Sequence, residues 1–308
     1  MSELTLFAAL TALVCVPLCF ALAAAALPLT SAALLFNPPK RVKVFRDKYG
    51  QQTSTCCLIC GLIAVLGLGG GALALQSLAP ASAAFWLGWP LPLLPLCAGL
   101  AVCAGLAVVY RAVWQNLKDN RPLHSAIGVA ATLSAWALGY LFVTFFRHYV
   151  LSPLQPSEDP FLFLPPLDST AWLLLPAALC MSLVMAGSSA TLYLIHRRDK
   201  DDFGRDYYNY GLKMGSRWSL AGVAGAVACA AAAAVRLWPS VRDLPVRPVF
   251  FWGEAVFLCA LAMAAILWGL VLRNQNALRL KVHLVAAFAL SWLAISAQAL
   301  VNLRFFLG

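Results

Sequence analysis

Eight apolar stretches divide this chain, near residues 4–36, 55–79, 83–113, 124–150, 169–195, 214–237, 249–272 and 282–306. About 20 apolar residues in a helix cross the ~30 Å hydrocarbon layer of a bilayer. Each stretch is therefore long enough for a transmembrane helix, and several are long enough to tilt or to project beyond the membrane. The runs are continuous rather than alternating, which excludes a closed β-barrel. With 62% hydrophobic and 11% charged residues, against about 25% charged in soluble domains, little chain remains for an independent soluble domain. The expected fold is an all-α polytopic membrane protein with eight transmembrane helices.

The stretches come in two sets of four. Phe45-Arg46-Asp47-Lys48-Tyr49 between the first and second stretches recurs as Phe203-Gly204-Arg205-Asp206-Tyr207-Tyr208, 159 positions on. Pro80 and Pro239, and His124 and His283, keep the same offset of 159. Ser31-Ala32-Ala33-Leu34 corresponds to Ser189-Ala190-Thr191-Leu192, and Leu96-Cys97-Ala98 to Leu258-Cys259-Ala260. Phe85-Trp86 pairs with Phe251-Trp252, Trp136 with Trp292 and Arg147 with Arg304. This common order predicts a tandem duplication, with one four-helix repeat over 1–152, a linker over 153–168 and a second repeat over 169–308. An even number of spans brings both halves in from the same face. The repeats are then parallel, not inverted as in many secondary transporters.

Orientation follows from the basic residues. Loops 37–54, 111–123, 196–217 and 272–283 hold 17 of the 22 Lys and Arg. The positive-inside rule puts these loops in the cytoplasm and both termini outside an inner membrane. The net charge of +10 is then a topology signal with attraction to anionic lipid, and nucleic acid is not an expected partner. The first stretch is too long for a secretory h-region and carries Glu3 instead of a basic start, so it is expected to be retained.

Two groups of residues are candidates for a site. One is the repeated cytoplasmic motif, Arg46, Asp47 and Tyr49 with Arg205, Asp206 and Tyr208. Its arginines could clamp an anion, with each Asp holding its neighbouring Arg in a bidentate pair. The same residues could instead cap helix entries, with Tyr anchoring at the interface. The other group is Glu254, the acid set deepest in an apolar context, which at that depth should seek Arg304 or Arg147 near the outer ends of other spans.

Four histidines raise the question of a b-type haem, with His124, His196 and His283 near the cytoplasmic face. They stand at span ends beside basic residues, where an interfacial imidazole is ordinary, and haem is disfavoured. All ten cysteines lie in or beside spans. Cys56-Cys57-x-x-Cys60 has no second ligand pair, so packing is the expected role of these thiols and no metal site is predicted. The glycine run 67–71 and the alanine-rich run 221–234 suit close helix packing. No catalytic constellation or nucleotide motif is complete, and the chain is not assigned as an enzyme.

Two adjacent four-helix bundles resemble, in fold alone, the quinone-interacting membrane anchors of the polysulphide-reductase type; no family motif is matched. The resemblance implies quinone as a cofactor and redox subunits as partners. The expected function is an integral subunit or anchor of a larger membrane assembly, quinone-linked electron transfer being one such class. The alternative is a small-solute transporter with its site between the repeats.

Overall fold

The computed structural model describes residues 3–35, 42–78, 90–117, 120–145, 171–201, 203–241 and 248–307. Among these there are eight α-helices and no strand. They are α1 (Glu3–Leu35), α2 (Lys43–Leu78), α3 (Pro90–Ala112), α4 (Arg121–Phe145), α5 (Ala171–Arg197), α6 (Arg205–Val241), α7 (Pro248–Arg273) and α8 (Lys281–Leu307), with a short 3₁₀ turn at Ala277–Leu280 before α8. Seven of them are long and apolar enough to cross a membrane, and α4 is the helix outside that set. The chain is thus a multi-pass membrane protein by the length and composition of its helices.

Helices α2 and α6 begin well before their apolar stretches. At 36 and 37 residues they run about 55 Å at 1.5 Å per residue, more than the hydrocarbon thickness. The Arg-Asp-x-Tyr segments are therefore first turns of long helices, not loops leading into them. Gly204 takes φ of +79° just ahead of α6, a left-handed conformation that glycine adopts without a Cβ penalty.

Sequence neighbours pair closely, α1 with α2, α3 with α4, α5 with α6 and α7 with α8. Helix α1 is the hub, packing also on α4, α5 and α8. Its own prolines help to explain how. Pro28 lies inside α1 and has no N–H to give to the carbonyl four residues back. That carbonyl, of Ala24, is met instead by the Cys57 thiol of α2 at 3.3 Å. One residue on, the Leu29 N–H donates to Thr132 of α4 at 3.1 Å. Ser31 then meets the Tyr110 hydroxyl of α3 at 2.8 Å, and Ser125 of α4 donates to the Ala32 carbonyl at 3.2 Å. In a membrane these backbone groups have no water to turn to, so side chains from α2 and α4 satisfy the interrupted ladder, while α3 meets the Ser31 hydroxyl.

The tightest crossing is that of α5 on α6. A Cβ added at Gly187 would lie 2.3 Å from the Gly215 carbonyl oxygen, and one at Gly222 would lie 2.6 Å from that of Cys180. Small residues let the two backbones meet, the usual source of helix association in lipid. Among the described glycines of the run 67–71, Gly67 sits against Pro17, while Gly69 and Gly70 face open space.

Candidate functional site

The start of α2, the end of α5 and the start of α6 assemble a polar and aromatic lattice on the face that carries the basic loops. At its centre is Asp201, just beyond α5. Arg197, one turn back, grips it in bidentate fashion, with Nε at 2.8 Å and Nη2 at 2.7 Å. Two planar bonds to one carboxylate fix geometry as well as adding energy. Gln52 of α2 donates from Nε2 to Asp201 Oδ2 at 3.0 Å and accepts the Tyr207 hydroxyl proton at Oε1. Tyr208 donates its hydroxyl to the Asp201 carbonyl. Around this core Phe45 packs on Tyr207 and Tyr210 with ring centroids 6.1 and 5.8 Å apart, and Lys48 lies 3.8 Å over the Phe203 ring. Residues from both halves of the sequence thus lock into one surface.

The repeated motif takes part differently from expectation. Asp47 pairs with Arg121 at the start of α4, 2.9 Å away, not with Arg46. Arg46 donates instead to the Leu34 carbonyl in the last turn of α1 at 3.2 Å, a cation capping the negative end of a helix dipole. In the second half Arg205 donates to the Asn276 side chain at 2.8 Å. The within-motif bidentate pair is therefore absent from both copies, because a guanidinium and the adjacent residue's carboxylate leave a helix in different directions. Tyr49 and Tyr208 are both buried against neighbouring helices.

The sequence gives no role to the lattice members Gln52, Arg197 and Asp201, and it names Tyr207 only as part of the recurring segment. Arg197 and Asp201 stand four apart in loop 196–217, a spacing that favours such pairs at a helix end. Gln52 carried no comparable signal.

Glu254 lies in α7 with an exposed side chain, its carboxylate accepting from Gln298 Nε2 of α8 at 3.1 Å. Arg147 lies outside the described residues, as does the side chain of Arg304. His124 is buried, its Nε2 3.2 Å from the Tyr110 carbonyl and its ring 4.3 Å from that of Trp114. His196 is exposed in the last turn of α5 and His283 is half-buried in the first turn of α8. No cluster of three or more His, Cys, Asp or Glu that could hold a metal occurs among the described residues.

Several polar atoms are sealed from solvent with no protein partner. They include the Tyr49 and Tyr210 hydroxyls, Ser189 Oγ, Arg46 Nε and Arg121 Nη1. Buried polar groups of this kind cost stability unless something satisfies them. The thiols of Cys56 and Cys60, one turn apart on α2, stand 3.8 Å from each other, and Cys56 Sγ lies 3.8 Å from the Ser189 carbonyl of α5. No family model matches the sequence, and comparison with curated proteins finds no relative.

Proposed function

We propose that the chain is an integral inner-membrane subunit that anchors a larger assembly, with quinone-linked electron transfer as the chemistry that assembly serves. In this reading all eight helices span the bilayer as two parallel four-helix repeats. The basic face is cytoplasmic, and both termini lie outside. The observation that carries it is the lattice around Asp201, a side-chain platform built from both halves where the basic loops emerge. Exposed Arg198 and Lys200 beside it supply charge for a partner or for lipid head groups. A shallow apolar groove between α1 and α8, lined by Val16, Cys19, Phe20, Phe288 and Trp292, suits a prenyl or acyl chain. The Glu254–Gln298 pair gives the opposite end a carboxylate for proton exchange.

Solute transport between the repeats has less support. Hydroxyls deep in the helices are engaged by their own backbones: Thr30 with Leu27, Ser188 with Val184, Thr191 with Ser188 and Ser216 with Leu212, at 2.7–2.9 Å. They are poorly placed to replace a solute's hydration.

Isolation from native membranes in mild detergent, followed by an absorption spectrum, tests the anchor reading. Redox subunits should copurify in fixed ratio, and a solitary colourless protein overturns it. Reporter fusions at Asp159 and at the C-terminus should be active only for an exported enzyme. Activity of a cytoplasm-dependent reporter at either point overturns the orientation.

A further inference from the structure

The basic residues of the two halves are spent differently. In the first half Arg46 donates to the Leu34 carbonyl, Arg121 pairs with Asp47, and Arg111 donates to Thr55. All three are half-buried, and among the described basic residues of that half only Lys43 is exposed. In the second half Arg198, Lys200, Arg205 and Arg279 are all exposed. Among the described residues none of these four pairs with an acid. A basic loop is enough to orient a span, and that requirement gives no reason for exposed charge to gather on one half.

Hydrogen bonds tie these cations into one shelf. The connection from α5 to α6 is held to α6 by the Tyr208 hydroxyl on the Asp201 carbonyl. The connection from α7 to α8 is held to the same end of α6. Arg205 Nε and Asn209 Nδ2 reach Asn276 Oδ1 at 2.8 and 3.3 Å, and the Leu278 N–H donates to Asn209 Oδ1 at 3.2 Å. Exposed Asp199 and Asp206 share the shelf, so positive charge remains in excess. Height separates it from lipid. Arg205 precedes the apolar stretch at 214 by nine residues, about 13 Å of helix. Head groups add only about 5–8 Å on each side of the hydrocarbon. The first turn of α6, with the Asn276 loop bound to it, therefore stands on the water side of the phosphates. Arg217 and Arg273, exposed at the hydrocarbon edge, are the cations set for lipid.

We infer that this shelf is the docking surface for an acidic segment of a soluble partner subunit, an inference that rests on the anchor reading above. Guanidinium groups bind carboxylates in bidentate fashion. Complementary charge on a fixed surface speeds encounter and sets the orientation of the partner.

The test places the purified full chain in phosphatidylcholine nanodiscs and titrates it with a fluorescein-labelled polyglutamate peptide. Binding is expected at low salt and should vanish near 1 M salt, where the screening length is about 3 Å. Lys200→Ala/Arg279→Ala should weaken it by about 10-fold. Arg217→Ala/Arg273→Ala removes the same charge at the hydrocarbon edge and should leave it almost unchanged. Equal losses from the two variants overturn the surface, because net charge would then suffice. Carbodiimide coupling on the unaltered chain guards against misfolded variants. The peptide should be joined at Lys200, and coupling at Lys43 or Lys213 alone overturns the assignment. Phosphatidylglycerol retained by the unaltered chain but lost from Lys200→Ala/Arg279→Ala would give the shelf to lipid and overturn it as well. The two readings fail separately. Redox subunits that stay bound to Lys200→Ala/Arg279→Ala sink the shelf and leave the anchor. Peptide bound at the shelf with no copurifying subunit sinks the anchor and leaves an acidic partner of another kind.

Discussion

The two copies of the Arg-Asp-x-Tyr motif use the same residue types for unlike ends. In the first half Arg46 caps the carbonyl end of α1, Asp47 reaches Arg121 on α4, and Tyr49 is buried with its hydroxyl unspent. In the second half Arg205 binds Asn276 ahead of α8, and Tyr208 closes on the Asp201 carbonyl. The difference originates in what each helix packs against. Helix α6 lies backbone to backbone on α5, which draws Asp201 and Arg197 over its first turn. Helix α2 starts beside the last turn of α1, where the Leu34 carbonyl accepts from Arg46. A motif fixes which groups are available, and packing decides what they meet.

The comparison breaks most severely at the α5–α6 crossing. Gly187→Val would drive a branched side chain into the Gly215 backbone, and neither helix can move away without losing the lattice. We expect loss of the monodisperse folded protein on size exclusion, overpacking of this kind costing about 3 kcal/mol or more where backbone blocks it. Gly70→Val, in open space, should leave elution and melting unchanged. Similar losses from both would mean that the crossing is no tighter than the lipid-facing run.

Next come the two carboxylates. Asp201→Ala strips acceptors from Arg197 and Gln52 together, three hydrogen bonds where Asp47 makes one. A clear drop in melting temperature is expected, part of it lost in high salt because the Arg197 side chain is 36% exposed. Asp47→Ala removes a single pair in which the acid side chain is 39% exposed. It should cost about 0.2–1 kcal/mol and less in high salt. Equal effects from the two would erase the contrast between the halves.

The smallest effect is expected at Glu254→Gln. The present partner is an amide, Gln298, at an exposed position, and a glutamine keeps an oxygen to accept from it. A change within about 0.5 kcal/mol is expected in thermal melts. A loss of several kcal/mol would instead reveal the arginine pairing that the depth of this residue suggested, since breaking a buried pair costs about 3–5 kcal/mol.

Much of the architecture was legible in the chain. Long apolar runs place the helices because a segment in lipid must satisfy its own backbone, whatever its neighbours. The boundaries of α1, α7 and α8 fall within a residue or two of the apolar stretches. Those of α2 and α6 do not, because their polar first turns project beyond the hydrocarbon and hydropathy does not follow them. Of the residues that meet in the lattice, the sequence marked those of the repeated motif. It gave no sign of Gln52, whose partner Tyr207 is 155 positions away.

What the sequence settles alone is what depends on local composition: membrane class, helix positions and the basic character of one set of loops. Only the tertiary structure decides which helices touch. It brings Cys57 to the carbonyl orphaned by Pro28, and it leaves Ser189 unpartnered while its counterpart Ser31 meets Tyr110. The physical reason is that one helix in lipid resembles another in hydropathy. Neighbours are chosen by small residues, proline kinks and single hydrogen bonds, whose effect exists only once two surfaces meet.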